Sequence, residues 1–260
     1  MDILLYAAAG ALVGLIVGLT GIGGGSLMTP ILLTFGIPPH IAVGTDLLYA
    51  AITKSSGAFA HFRQKTIRWS ICLLMLAGSI PTALLTGYLL KKYFGEYQHY
   101  TNLITTSLGI MLIITATLLL MRGHIQRYSQ RHATDGNNLS SQHKAALTII
   151  MGVFLGFFVT ISSVGAGAIG TAILLVLYPQ LKSIKVVGTD IAHAVPLTLT
   201  GGLVHLSLGN VDYGLLFALL LGSLPAIHLG TKLGNRLPDA LLRPALATLL
   251  AAIGAKYIFF

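Results

Sequence analysis

The sequence predicts an all-α polytopic membrane protein made of two inverted repeats, each a glycine-broken helical hairpin followed by three transmembrane helices. Three observations lead to this fold class. First, 55% of the 260 residues are hydrophobic and only 9% are charged, whereas a soluble domain carries about 25% charged residues. Second, apolar runs of about 20 residues, the length that crosses a bilayer core, recur along the chain. Third, the second half of the chain repeats the first.

The repeat is clearest in a motif that each half carries once. Residues 42–61 (AVGTDLLYAAITKSSGAFAH) match residues 186–205 (VVGTDIAHAVPLTLTGGLVH) at a constant offset of 144. Upstream, residues 21–33 match residues 163–175 at an offset of 142. Similarity at a fixed spacing is typical of chains built from structural repeats, so we predict two membrane units with equivalent elements.

The repeats divide the chain into three parts. The first membrane repeat is predicted at 1–122 and the second at 145–260, and the basic, polar stretch 123–144 joins them as a cytoplasmic linker. Within each repeat an apolar run broken by glycines comes first, and three plainer spans follow. The broken runs are 3–36 and 145–178, and the spans lie near 41–62, 69–90 and 101–121, then near 185–206, 212–232 and 238–258.

The placement of Lys and Arg decides how the broken runs cross the membrane. Each run has 34 residues, roughly 51 Å as a helix, which is too long for one ordinary span. If each run made one bent crossing, the two sides would carry eight and seven basic residues. If each run forms a hairpin, the second half is inverted and twelve basic residues face three. That bias is typical of a cytoplasmic face, so we predict hairpins, with both termini outside. The twelve are Arg63, Lys65, Arg68, Arg122, Arg127, Arg131, Lys144, Lys182, Lys185, Lys232, Arg236 and Arg243, and the three are Lys91, Lys92 and Lys256.

The glycine-rich break in each half predicts an anion site. Irregular backbone is tolerated at membrane depth only where it is buried in protein or lines a cavity. The helix that follows such a break begins with free N–H groups and a partial positive charge, which attract an anion. We therefore predict a substrate site between two helix starts, although close helix packing through the glycines is the alternative. The residues concerned are Gly23, Gly24, Gly25 and Ser26 in the first copy and Ser163, Gly165 and Gly167 in the second.

These motifs resemble the sulfite exporter TauE/SafE family, also called the toluene sulfonate uptake permease family. The resemblance rests on GIGGGSLMTPILL (21–33), the following AVGTD (42–46) and their weaker second copies, and it covers nearly the whole chain. It implies a carrier in the bacterial inner membrane for sulfite, sulfonates or related sulfur-containing anions, without fixing the substrate or the direction. Because Ala166 and Ala168 replace Gly24 and Ser26 in the second copy, we expect unequal half-sites.

A few polar side chains lie inside the predicted spans. Lys54 is the one deep cation, so it is the side chain best suited to balance a bound anion, and an ion pair with an acid such as Asp190 is the alternative. Asp46 and Asp190 are equivalent in the two repeats, and their role is either proton coupling or helix capping. The residues assigned to this coupling or structural group are Thr45, Asp46, Thr189, Asp190 and His193.

We expect a secondary transporter that moves a small anion by alternating access. The alternatives are an anion channel and a cation- or proton-coupled carrier of another small solute. The expected partners are the anion, protons as a coupling ion and the lipid bilayer, whereas the oligomeric state stays open. The net charge of +9 arises from loops between apolar runs and does not indicate nucleic-acid binding. The sequence has no P-loop, zinc motif or nucleophile elbow, so we expect no cofactor, no metal and no enzymatic activity.

Overall fold

The structure, a computed structural model, is all-α, as predicted, whereas the inverted arrangement of the two repeats stays a prediction. It describes residues 3–20, 27–93, 97–131, 140–234 and 239–259. These residues form ten helices and no strand. In the first half, the helices are α1 (Ile3–Thr20), α2 (Met28–Thr34), α3 (Pro39–Arg63), α4 (Trp69–Tyr93) and α5 (Tyr97–Arg131). In the second half, they are α6 (Ser141–Ser162), α7 (Ala168–Leu177), α8 (Ser183–Ser207), α9 (Tyr213–Gly234) and α10 (Asp239–Phe259).

Several helices have the length and composition of membrane spans. Among the described residues, four stretches are long and apolar enough to cross a bilayer: Trp69–Tyr93, Asn102–Arg131, Ser141–Ser162 and Tyr213–Lys232. Large apolar side chains on their outer faces are exposed, for example Leu85 on α4 and Phe217 on α9. Exposed apolar surface of this kind fits a lipid environment, where there is no water to avoid.

The two halves interlock through equivalent helix pairs. Helix α1 packs on α9, and its counterpart α6 packs on α4. In the second pair, a Cβ on Gly152 or Gly156 would overlap the backbone of Met75 or Ser79. Only glycine therefore allows α6 to approach α4 this closely, as small residues commonly do between membrane helices.

Two hydrogen bonds join the halves reciprocally. The Thr45 hydroxyl on α3 accepts from the backbone N–H of Asp212, just before α9, at 3.1 Å. The Thr189 hydroxyl on α8 accepts from the N–H of Arg68, just before α4, at 2.9 Å. Thr189 lies 144 positions after Thr45, and Asp212 lies 144 positions after Arg68. Thr45 and Thr189 therefore each link a helix of one half to the segment just before a helix of the other, while the orientation of the halves in a membrane stays a prediction.

The stretch predicted as a linker is partly helical. Helix α5 continues to Arg131, so with 35 residues it is roughly 52 Å long and exceeds the thickness of a bilayer core. Helix α6 begins at Ser141, where the Ser140 side chain accepts a hydrogen bond from the N–H of His143. Residues 132–139, between these two helices, lie outside the described residues.

Candidate functional site

The helix break predicted in the second half is present. Helix α6 ends at Ser162 and α7 begins at Ala168, and Ser163, Gly165 and Gly167 between them have φ angles of 58°, 115° and 133°. These values lie in the left-handed region that favours glycine. The equivalent residues of the first half, Gly23, Gly24, Gly25 and Ser26, lie outside the described residues.

Asp46 caps a helix, but not its own. It lies within α3 and is fully buried, and its Oδ2 accepts from the backbone N–H of Thr29 at 3.2 Å and from the Thr29 hydroxyl at 2.5 Å. Thr29 is the second residue of α2, so the carboxylate covers the start of that short helix. The other oxygen, Oδ1, has no hydrogen-bond partner among the described residues, and the Ser163 hydroxyl lies nearby.

Asp190 occupies the equivalent position at α7. Its Oδ2 accepts from the Thr171 hydroxyl at 2.9 Å, and its Oδ1 has no hydrogen-bond partner among the described residues. A Cβ on Gly170 would collide with Oδ1, so the carboxylate lies directly against the first turn of α7. Thr171 corresponds to Thr29, so each half has the same Thr–Asp pair. No backbone N–H among the described residues donates to the Asp190 carboxylate, whereas the N–H of Thr29 donates to Asp46.

Lys54 connects α3 to the break in the second half. Its ammonium group donates to the carbonyl oxygen of Ala166 at 3.0 Å, and only 6% of its side chain is exposed. It lies within electrostatic reach of both Asp190 and Asp46 but forms an ion pair with neither. Because an ammonium has three N–H donors, two remain without an acceptor among the described residues. Lys54 and the break around Ser163 are thus brought together.

A basic cavity leads from the protein surface to Lys54. It has a volume of about 520 Å³ and lies among α1, α3, α8 and α9. Lys54 lies at its buried end, whereas His228 and Lys232 are exposed. Four of the lining residues are basic and none is acidic. The lining residues are Val17, Gly18, Thr53, Lys54, Ser56, Gly57, Ala60, His61, Ile191, Ile227, His228, Thr231 and Lys232.

A surface of this composition attracts anions. Clefts lined by charges of one sign between low-dielectric walls raise the local concentration of the opposite ion. His61 and Lys232 lie in the last turns of α3 and α9. Lys54 is nine residues from the end of α3, roughly 14 Å along the helix axis. The cavity therefore presents several positive or protonatable groups along one path and ends at a buried ammonium.

Sequence reasoning missed two buried pairs next to this site. The Ser79 hydroxyl on α4 lies 2.9 Å from Nε2 of His193 on α8, and both side chains are fully buried. The equivalent residues, Ser223 and Tyr49, also lie next to each other and are buried. The sequence contained one signal for these serines, since Ser79 and Ser223 occupy the same position in the repeated segments AGSIP (77–81) and LGSLP (221–225). His193 is therefore a packed residue that joins the two halves.

Comparison with known proteins identifies a family and relatives that match nearly the whole chain. The profile of the family described as Sulfite exporter TauE/SafE matches residues 6–257. The Bacillus subtilis protein YjnA is 39% identical over 96% of this chain and 97% of its own length. YdhB from the same organism is 33% identical over 95% and 97% of the two chains. MJ0441 from Methanocaldococcus jannaschii is 28% identical over 96% and 93%.

All three relatives are named probable membrane transporter proteins. No solved structure matches the chain significantly. The family and these names point to a membrane transporter rather than to an enzyme.

Proposed function

The chain belongs to the sulfite exporter TauE/SafE family, and on that premise we propose that it is a secondary transporter of a small sulfur-containing anion. Its substrate is sulfite, a sulfonate or a related organosulfur anion, and it acts in the bacterial inner membrane. The observation that carries this proposal is the basic cavity, which ends at the buried ammonium of Lys54.

Lys54 is the principal substrate ligand in this proposal. A buried cation is costly unless it is paired, and its described partner is the neutral carbonyl of Ala166. A sulfonate or sulfite oxygen would accept one of the two remaining N–H donors and supply the missing negative charge. The hydroxyls of Thr53 and Ser56 also line the cavity, but they now bond carbonyls of their own helix and would have to rotate to reach a substrate.

In this proposal the helix starts contribute less to substrate binding than the sequence analysis expects. The carboxylate of Asp46 already covers the first turn of α2, and the carboxylate of Asp190 lies at the first turn of α7. A second anion placed directly at either helix start would be repelled by these carboxylates as long as they are ionised. We therefore propose that the substrate binds at Lys54, at the edge of the α6–α7 break, rather than at the helix starts.

The transport mechanism in this proposal is alternating access. Lys232, in the exposed part of the basic cavity, belongs to the basic group assigned to the cytoplasmic side, so in this proposal the cavity opens toward the cytoplasm. The bond from Lys54 to Ala166 crosses between the two halves. Movement of one half against the other would close this cavity and open a path on the opposite side, as in carriers with repeated halves.

The first test measures anion flux with purified protein in proteoliposomes. Labelled sulfite, thiosulfate and a set of sulfonates are tested for saturable counterflow in the wild type, Lys54→Ala and Lys91→Ala. Lys91 is an exposed lysine on α4 and serves as the matched control. We expect counterflow of at least one sulfur anion, its loss in Lys54→Ala and its retention in Lys91→Ala.

Other outcomes separate the alternatives. Non-saturating flux with unitary currents would identify a channel. Saturable flux of a cation that Asp46→Asn abolishes would identify a cation carrier. The absence of flux for every sulfur anion, with folded protein in the membrane, would overturn the proposal. Thermal stabilisation gives an independent measure of binding, since a ligand at 100 times its Kd stabilises by about 2.7 kcal/mol.

A further inference from the structure

The two buried carboxylates differ in their surroundings, and from this difference we infer that Asp190 carries a proton together with the anion whereas Asp46 stays a fixed structural charge. The inference rests on the proposed function, because it concerns how transport of an anion bound at Lys54 is driven. It assigns different tasks to two residues that the repeat makes equivalent.

Asp46 is anchored by α2. One oxygen accepts both a backbone N–H and a hydroxyl hydrogen from Thr29, and the Ser163 hydroxyl lies near the carboxylate. Hydrogen bonds donated to a carboxylate favour its charged form. These contacts also tie the carboxylate to a helix start, so a proton added here would weaken the capping of α2.

Asp190 has fewer contacts and a space beside it. It accepts one hydrogen bond, from the Thr171 hydroxyl, and its Oδ1 is buried without a partner among the described residues. The carboxylate lines a second cavity of about 30 Å³, together with Gly167, Thr171 and Arg122. This volume is enough for one water molecule, and the polar groups around it provide hydrogen-bond partners. Asp190 can therefore exchange a proton without breaking a helix cap.

The charges around Asp190 couple its proton to the anion. Lys54 faces it from α3 and Arg122 from α5, while the Cys72 thiol faces it from α4. His193 follows three residues later on α8 itself. Helix α7 has no titratable side chain, and those of α6, His143 and Lys144, lie in its first turn.

These positions predict the direction of coupling. Lys54 stabilises the Asp190 carboxylate as long as its own charge is uncompensated. An anion bound to Lys54 removes that stabilisation and adds a repulsive charge, so Asp190 binds a proton more readily when the substrate is present. By reciprocity, the anion binds more tightly when Asp190 is protonated. Anion and proton then move in the same direction.

The test separates exchange from net transport in proteoliposomes. Counterflow of the identified sulfur anion at equal pH on both sides needs no net proton movement and reports the carrier itself. Net uptake under an inward proton gradient, recorded together with a pH-sensitive dye inside the vesicle, reports the coupling. Wild type is expected to show severalfold stimulation by the gradient, and Asp190→Asn is expected to keep counterflow but lose both the stimulation and the proton signal.

The matched variant is Asp46→Asn. The protein of this variant that folds should still show gradient-stimulated uptake and the proton signal. Protonation of the substrate itself affects the wild type, Asp190→Asn and Asp46→Asn equally. Differences in the gradient response among these proteins therefore report on the two carboxylates. Gradient-driven uptake with proton movement in Asp190→Asn, or its loss in Asp46→Asn alone, would overturn the assignment. The absence of wild-type counterflow would instead reject the proposed function.

A second variant covers the case in which Asp190→Asn does not fold. Thr171→Val removes the hydroxyl that donates to Asp190 but keeps the carboxylate. Because that bond favours the charged form, its loss should move the half-maximal gradient response to higher pH, and Thr171→Ser should restore it. An unchanged pH profile in Thr171→Val would contradict the inference.

Discussion

Nε2 of His193 lies 2.9 Å from the hydroxyl of Ser79, and this contact joins α8 of the second half to α4 of the first. Both side chains are fully buried, and the second ring nitrogen of His193 has no hydrogen-bond partner among the described residues. Among the described residues, Ser79 is therefore the hydrogen-bond partner of the His193 imidazole.

We expect Ser79→Ala to lower the free energy of unfolding by about 1–3 kcal/mol, because it leaves a buried ring nitrogen without its partner. Thermal unfolding of the protein in detergent measures the effect. Ser207→Ala is the control, since that serine is exposed and bonds a carbonyl of its own helix; its effect should stay within about 0.5 kcal/mol. Equal unfolding midpoints for the two variants would show that the contact does not stabilise the fold.

The reciprocal hydrogen bonds of Thr45 and Thr189 predict that removing either hydroxyl lowers the free energy of unfolding by a similar amount. Thr45→Val and Thr189→Val keep the shape of the side chain but remove the acceptor for the N–H of Asp212 or Arg68. Each variant should lose about 1 kcal/mol, and the corresponding serine variants should lose less. Thr117→Val serves as control, because the Thr117 hydroxyl is exposed and bonds its own helix. Destabilisation of one variant without the other would contradict the equivalence of the two contacts.

Because α1 packs closely on α9, one methyl group added between these helices should lower the stability of the protein. A Cβ on Gly222 would overlap the backbone carbonyl of Ala7, so Gly222→Ala must separate the helices. Overpacking of this kind costs about 1–3 kcal/mol, seen as a lower unfolding midpoint and more aggregate in size-exclusion chromatography. Gly123→Ala has open space around it and should be neutral or slightly stabilising, because alanine favours a helix by about 1 kcal/mol. A similar response from both variants would rule out helix contact as the reason.

The charge asymmetry predicts which residues face outward. In a Cys72→Ala background, which removes the single native cysteine, Lys92→Cys and Arg127→Cys place a thiol at an exposed position on α4 or α5. A membrane-impermeant maleimide added to intact cells should label Lys92→Cys alone. Arg127→Cys should react only after the membrane is opened. The reverse pattern would invert the predicted orientation.

The repeat in the sequence predicted much of the fold because it marks equivalent helix positions twice. Helices α3 and α8 begin and end 144 residues apart, and α4 and α9 begin at the same offset. The hydrophobic pattern identified the apolar helices, and the scarcity of charge inside the spans identified Lys54, Asp46 and Asp190. The break in the second half is present where the glycines predicted it.

The partners of these polar residues could not be predicted, because they lie far apart in the sequence. Lys54 bonds a backbone carbonyl 112 residues away, and Ser79 meets His193 across 114 residues. Neither contact leaves a local pattern. The sequence left open whether Asp46 caps a helix or couples a proton, and it could not identify α2 as the helix concerned, since tertiary packing brings Thr29 to the carboxylate.

The bond between Thr45 and the N–H of Asp212 also has a consequence for the synthesis of the protein. The two residues are 167 positions apart, so at ordinary elongation rates the ribosome needs roughly 8 to 33 s to reach the second after the first. During that interval Thr45 and Lys54 lack Asp212 and Ala166, their hydrogen-bond partners in the second half. Until the second half has been inserted, these two polar groups need other hydrogen-bond partners, because an unpaired polar group in the bilayer core is costly.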